Sequence, residues 1–221
     1  MLDLTAFFLQ FPHIRSERII LFVSPEEGTG KTFYFKILDM IFKGYTSFHD
    51  SLETYLGRFN IGDNSKLVMW LDDIFGATKA QTRRILPKVT YNRQKYEKKG
   101  ESVIELEEFS NVFITSNQDG GCALHIKPGD RRQLILEASA KRLQDREFFA
   151  KVTADIEDLN VAHAWFKFLQ ERDIGKFHPT QDPPTNAKSK SISSCMVKSH
   201  SFFNMFFQDS DWITNYRSPI E

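Results

Sequence analysis

With 221 residues, 41% of them apolar and 26% charged, the chain is long enough for one substantial core, which favours a single α/β domain with at most a small appended unit. Net charge is zero, 29 basic residues against 29 acidic ones, so a global field that draws in nucleic acid is excluded and any such affinity must come from local clustering. Two widely separated cysteines, Cys122 and Cys195, exclude a disulfide framework and suit a reducing compartment, and no apolar run approaches the roughly 20 residues that cross a bilayer.

The opening, MLDLTAFFLQFPHIR, lacks the basic head and small-residue cleavage site of a secretory signal and reads as a helix or an extended lead-in. A soluble, intracellular protein is therefore expected. RIILFV, residues 18–23, is a short continuous apolar run of the kind buried on both faces of a sheet. Residues 31–43 follow helical spacing, with Phe33, Ile37, Leu38, Ile41 and Phe42 largely on one face. SFHDSLETYLGRF predicts a second helix, capped near Asp50 or Ser51. KLVMWLDDIF is another apolar run, ending in two carboxylates, and TKAQTRRIL predicts a helix with Pro87 near its end. KVTYNRQKYEKKGESVIEL has β-rich flanks around Lys-Lys-Gly, the pattern of a hairpin. NVFITSN and RRQLILEAS supply a third and a fourth strand of the buried type. Residues 144–173 are helical by pattern, with Phe148, Val152, Ile156, Ala164, Phe168 and Leu169 as the expected core. Beyond them the composition turns Pro-, Ser- and Lys-rich, as in a linker, while the final SFFNMFFQDSDWI is too aromatic for a solvated tail. Strands alternating with helices predict a mostly parallel sheet with helices on both faces. The expected divisions are a lead-in (1–17), a core (18–143), a helical segment (144–178) and a linker with aromatic tail (179–221).

The stretch SPEEGTGKT carries the most specific chemistry. A phosphate loop reads Gly, four residues, then Gly-Lys-Ser/Thr; here Pro25 takes the first Gly position, while Gly28, Gly30, Lys31 and Thr32 are in place around Thr29. The chemistry needs backbone N–H groups turned onto phosphate oxygens at a helix N-terminus. Lys31 would neutralise the terminal phosphates of ATP, and the Thr32 hydroxyl would hold Mg²⁺. Pro25 brings no N–H and cannot take positive φ, but the glycines keep the turn permissive. Glu26 and Glu27 are expected to face solvent, since inward they would repel phosphate.

LVMWLDD ends its strand with Asp72 and Asp73. A strand-end aspartate can hold Mg²⁺ through water, and its neighbour can orient or deprotonate an attacking water. Alone, two such acids are as readily turn caps; beside a phosphate loop they gain meaning. Asn117, closing NVFITSN, is placed to reach a γ-phosphate and the lytic water, though such a pair of polar residues also serves as a strand exit. In GDRRQLILE, Arg131 and Arg132 can supply an arginine finger or form a surface pair with Asp130. Between residues 83 and 99 lie Arg83, Arg84, Lys88, Arg93, Lys95, Lys98 and Lys99 against one acid, Glu97, with Tyr91 and Tyr96 interleaved. Backbone-neutralising cations with stacking aromatics are what sequence-tolerant single-strand binding requires.

In this order, GTGKT, LDD, a basic hairpin, FITSN and an Arg-Arg strand resemble superfamily 3 helicases. The similarity is closest to the helicase domain of viral and phage primase-helicases, the poxvirus-type and vent-phage primase-polymerase group. GRFNIGDNSKLVMWLDDI, NVFITSNQD, GDRRQLILEAS and FKFLQERDIGKFHPTQDPPTNAKSK carry it, across roughly residues 18–190. The resemblance implies an AAA+-like P-loop NTPase fold, a three-layer α/β sandwich with a C-terminal helical segment. It implies Gly28, Thr29, Gly30, Lys31 and Thr32 as the ATP loop, Thr32 and Asp72 at Mg²⁺, and Asn117 as γ-phosphate sensor. It further implies Arg131 or Arg132 as a finger into the neighbouring subunit of a ring, a hexamer in the family. Lys95, Lys98 and Lys99 would face single-stranded DNA in its channel, with a primase or polymerase on a separate or longer chain as a further partner. The setting implied is a virus-infected cell or a mobile element.

Asp73 stands where that family usually has glutamate. Its carboxylate is one methylene shorter, and a misplacement near 1 Å costs about 10²-fold in rate, so slow hydrolysis is expected. No primase-like metal triad and no upstream helical collar precede the motifs, which fits a stand-alone core or a piece of a longer protein. A second reading is a non-hydrolysing P-loop module that scaffolds DNA or partner subunits. A third, a clamp-loader or nucleoside-kinase type of ATPase, has no use for the basic hairpin.

Overall fold

A computed structural model of the protein describes residues 1–24, 26–117, 123–125, 129–181 and 187–190. Pro25, Cys122, Cys195 and the aromatic tail lie outside the described residues. The lead-in is helix α1 (Leu2–Gln10), followed by strand β1 (Ile19–Val23), helix α2 (Lys31–Ile41) and strand β2 (Thr46–His49). A one-turn helix α3 (Leu52–Tyr55), strand β3 (Val68–Leu71) and helix α4 (Lys79–Thr90) come next. Strands β4 (Arg93–Tyr96) and β5 (Ile104–Glu107) form an antiparallel hairpin. Strands β6 (Asn111–Ser116) and β7 (Gln133–Glu137) and helices α5 (Arg146–Glu157) and α6 (Leu159–Glu171) complete the order.

Among the described residues, five strands form one sheet in the order β2-β3-β6-β1-β7, every neighbouring pair parallel. The continuous apolar runs are there for a reason: β1 and β6 are buried along their whole length, so both faces must be apolar. Alternation then deals residues to two layers. Ile19, Leu21 and Val23 point with Met69, Leu71, Val112 and Ile114 towards α3 and α4. Ile20, Phe22, Val68 and Phe113 point towards α1, α2 and Leu169 of α6. The result is the α/β architecture that the alternating pattern predicts, with helices on both faces.

Two expectations need correction. SFHDSLETYLGRF is not one helix: Thr46–His49 is the edge strand β2, and only Leu52–Tyr55 is helical, capped by the Ser51 hydroxyl on the Thr54 N–H. An edge strand with a half-exposed face carries no apolar run to announce it. Of the two readings of the lead-in, the structure takes the helix, with Leu4, Ala6, Phe7 and Phe8 buried and Gln10 donating to the Leu169 and Arg172 carbonyls at 2.7 and 2.9 Å. Residues 144–173 break into two helices at Asp158, and of the six expected core residues only Leu169 is buried. Val152 and Ile156 are half-buried, Ala164 is exposed, and Phe148 and Phe168 are 36% and 45% exposed. The α4 helix starts as a capping box, Thr78 and Gln81 bonding each other's backbone N–H, and Pro87 falls inside its last turn.

Candidate functional site

Parallel strands deliver whatever follows them to one edge of the sheet, and ligands in such folds sit outside those carboxyl ends. Here β3, β6 and β1 are adjacent, and the register pairs Val23 with Ser116 and Leu71 with Ile114. The Gly loop after β1, Asn117 after β6 and Asp72–Asp73 after β3 therefore open onto one cleft of about 720 Å³, lined also by Thr115 and by α5.

The loop turns on two glycines: Gly28 has φ +76° and Gly30, the N-cap of α2, has φ +92°. Side chains rarely adopt either value. A Cβ on Gly30 would also lie 2.7 Å from the Phe149 ring. Glu26 and Glu27 are both exposed, but Glu27 lines the cleft and so does not face away from it as expected. The Thr29 hydroxyl is buried and has no hydrogen-bond partner among the described residues. Lys31 opens α2 inside the cleft. Partial burial lowers the pKa of its ammonium, opposed by the charges of Asp73, Asp72 and Glu27.

Thr115, buried in β6, holds the two aspartates. Its hydroxyl donates to Asp72 Oδ1 at 2.5 Å and accepts the Asp73 N–H at 2.8 Å. The Asp72 N–H in turn donates to the His49 carbonyl at 3.1 Å. Asp73 sits at φ +50°, a left-handed conformation that Asp tolerates better than most residues. Its Oδ1 accepts the Asn117 Nδ2–H at 2.9 Å. The structure thus gathers Gly28, Thr29, Gly30, Lys31, Thr32, Asp72, Asp73 and Asn117 in one place.

Arg131 and Arg132 are not there. β7 runs parallel to β1 with Gln133 opposite Ile19 and Glu137 opposite Val23, so both arginines lie at the far end of the sheet from the Gly loop. Arg132 is paired with Asp130 through Nε at 3.1 Å and Nη2 at 3.2 Å, whereas Arg131 is exposed. Lys95, Lys98 and Lys99 are exposed on the hairpin, with Lys98 bonded to Glu101 at 2.6 Å across a turn at Gly100. The rest of the basic run divides. Arg84 donates to the Leu56 carbonyl and Lys88 to the Tyr55 carbonyl, at 2.8 and 3.1 Å, so both serve the core. Tyr96 is buried and donates to Glu108 at 2.6 Å, so of the two tyrosines only Tyr91, 65% exposed, can stack on a ligand.

Sequence reasoning missed Thr115 and the α5 residues Arg146, Phe149, Ala150 and Thr153 that line the cleft. The signals were a polar residue inside an apolar strand and an i, i+3, i+4, i+7 spacing.

A sequence model described as a family of unknown function, DUF5906, matches residues 22–132. No curated protein matches the chain. The apo structure of the NrS-1 C-terminal region superimposes with a TM-score of 0.78 over 98% of this chain at 18% identity. An A-form apo structure of the same region gives 0.78 over 97% at 19%, and another 0.74 over 97% at 21%. The chain spans about half of each of those structures, 52%, 51% and 51%. At such identities the likeness establishes the α/β fold.

Proposed function

The chain belongs to the family of unknown function DUF5906, whose match covers the Gly loop, both aspartates and Asn117, and from that premise we propose that it is the ATP-hydrolysing core of a replicative DNA helicase. One observation carries the reading: Lys31, Asp72, Asp73 and Asn117 converge from three adjacent strand ends on one cleft, at the N-terminus of an eleven-residue helix. The order of motifs and the fold held in common with the NrS-1 C-terminal region support it.

The N-terminal end of α2, with Gly28 and Gly30 holding the loop open, binds the triphosphate. Lys31 neutralises its terminal oxygens. Thr32 and Asp72 would hold Mg²⁺, a hard cation that takes one or two carboxylates and fills its remaining positions with phosphate and water. Held there, it would supply positive charge against the phosphate oxygens. One hydroxyl and one carboxylate in the same cleft fit that habit. Asp73 positions or deprotonates the attacking water, and Asn117, already bonded to it, senses the γ-phosphate. Lys95, Lys98 and Lys99 grip the single strand by its phosphates.

The second reading, a non-hydrolysing scaffold, is favoured by one feature: Asp73, short for a water-positioning acid, is committed to Asn117 and to a left-handed backbone. Hydrolysis by the purified chain, with and without single-stranded DNA, separates the two. Turnover that rises with DNA and is lost in Lys31→Ala, with the melting temperature unchanged, is the expected outcome. Nucleotide binding without turnover selects the scaffold, and turnover that survives Lys31→Ala removes the loop assignment.

A further inference from the structure

The α5 helix presents a puzzle of burial. Its sequence REFFAKVTADIE is amphipathic, yet it contains no buried residue. One of its faces, Arg146, Phe149, Ala150 and Thr153 at i, i+3, i+4 and i+7, looks into the cleft beside the Gly loop. Phe149 is the closest part of that face to the phosphate cradle. Its ring stacks on Phe33 of α2 at 4.7 Å between centroids and 20° between planes, and occupies the space a side chain on Gly30 would need. The Gln144 N–H, one residue before the α5 cap, reaches the Gly28 carbonyl at 3.3 Å.

We propose that this face of α5 seats the base and sugar of the bound nucleotide, with Phe149 as the surface on which the base stacks. The inference rests on the phosphate site described above and extends it: a triphosphate on the start of α2 leaves its nucleoside in the rest of the cleft, and the wall there is α5. The side of the Phe149 ring turned away from Phe33, with exposed Ala150 beside it, is then the part of the helix that ligand covers. A phenyl ring offers a base a stacking plane and no hydrogen bonds, so the larger purine gains more from it than a pyrimidine. Arg146, exposed at the first turn of α5 on the same wall, supplies charge towards the sugar-phosphate.

The test compares two ligands on the full chain in the presence of Mg²⁺: ATP, and inorganic tripolyphosphate, which has the phosphates without the nucleoside. Wild type binds ATP more tightly than tripolyphosphate, and Lys31→Ala weakens both. Phe149→Ala weakens ATP about tenfold, the order of one stacked base, and leaves tripolyphosphate unchanged. Phe149→Leu, which keeps volume while removing the aromatic plane, gives the same split and guards against a folding defect; Phe149→Trp retains the wild-type ratio. An ATP-to-tripolyphosphate ratio that stays constant across the Phe149 variants overturns the base seat and leaves the phosphate site standing. Wild type that binds neither ligand overturns both.

Discussion

Asp63 and Thr115 each hold neighbouring side chains in place by hydrogen bonds rather than by packing. Asp63, beneath the end of β2, accepts the Ser47 hydroxyl at 2.7 Å and bonds the His49 ring at 3.0 Å. His49 stands next to Asp72 through its carbonyl, so this cluster supports the candidate site from behind. Burial pushes the Asp63 carboxyl up, but the bonds from His49 and Ser47 and the charge of Lys88 outweigh it and hold the group below the usual carboxylate range. A carboxyl depressed in the folded state stabilises the fold above its unfolded pKa and loses that contribution as pH falls through its folded pKa. Asp63→Asn should therefore cost about 1–3 kcal/mol near neutrality. Urea unfolding at neutral pH and below the carboxylate range measures this: the gap between variant and wild type closes in acid. An equal gap at both would mean that shape, not charge, is what Asp63 contributes.

At the level of elements, the hairpin β4–β5 is a lever bolted to the body. Glu97 is gripped by Arg58 at 2.7 Å, Asn60 bonds the Lys95 carbonyl and the Glu97 N–H, and Tyr96 is anchored on Glu108. Buried Arg15 ties its root, donating to the Ser110, Tyr91 and Lys88 carbonyls. The exposed side chains of Lys95, Lys98, Lys99 and Tyr91 are left to meet a ligand. Lys98→Ala with Lys99→Ala should weaken single-strand binding and make its salt dependence shallower by about 1.4 in log–log slope, roughly 0.7 for each phosphate no longer neutralised. Fluorescence anisotropy across a salt series reads both; an unchanged slope would move the strand elsewhere. How legible these elements are follows from their environment. β1, β3, β6 and β7 can be read from sequence because burial on both faces leaves unbroken apolar runs, and the Gly loop because its backbone demands glycine. β2 is hidden because one edge and much of one face are exposed, and TSFH resembles the approach to a helix cap. On α5, Phe148, Val152 and Ile156 read as core because amphipathic spacing shows that a face is apolar and not how deeply it is covered, and the structure leaves the first exposed and the other two half-buried. Thr115 escapes notice because a β-branched residue suits a strand whatever its hydroxyl does.

For the whole molecule, strand register decides where an arginine finger can act. Gln133 pairs with Ile19 and Glu137 with Val23, so Arg131 and the Gly loop are separated by at least the length of β1, about 13 Å at ~3.3 Å per residue. With Arg132 held by Asp130, Arg131 is the exposed member of the pair. A finger at the opposite end of the sheet from its own site can complete only a neighbour's, which calls for a head-to-tail interface, and such an interface gives a ring where the rotation between subunits closes. In the proposed ring, Arg131→Ala and Lys31→Ala each abolish turnover for different reasons. The first keeps a sound phosphate site and lacks a finger to lend; the second keeps the finger and lacks the site. Mixed before assembly, they create interfaces at which a sound site meets a sound finger, about a quarter of all interfaces for random equal mixing. Hydrolysis should recover towards that fraction as the two are combined, and sedimentation of the same mixtures would show the assembly that carries it. If Arg131→Ala alone retains full turnover, the finger is not Arg131. If both variants are dead and remain dead when mixed into an assembled ring, the site is completed within one chain and the head-to-tail arrangement fails.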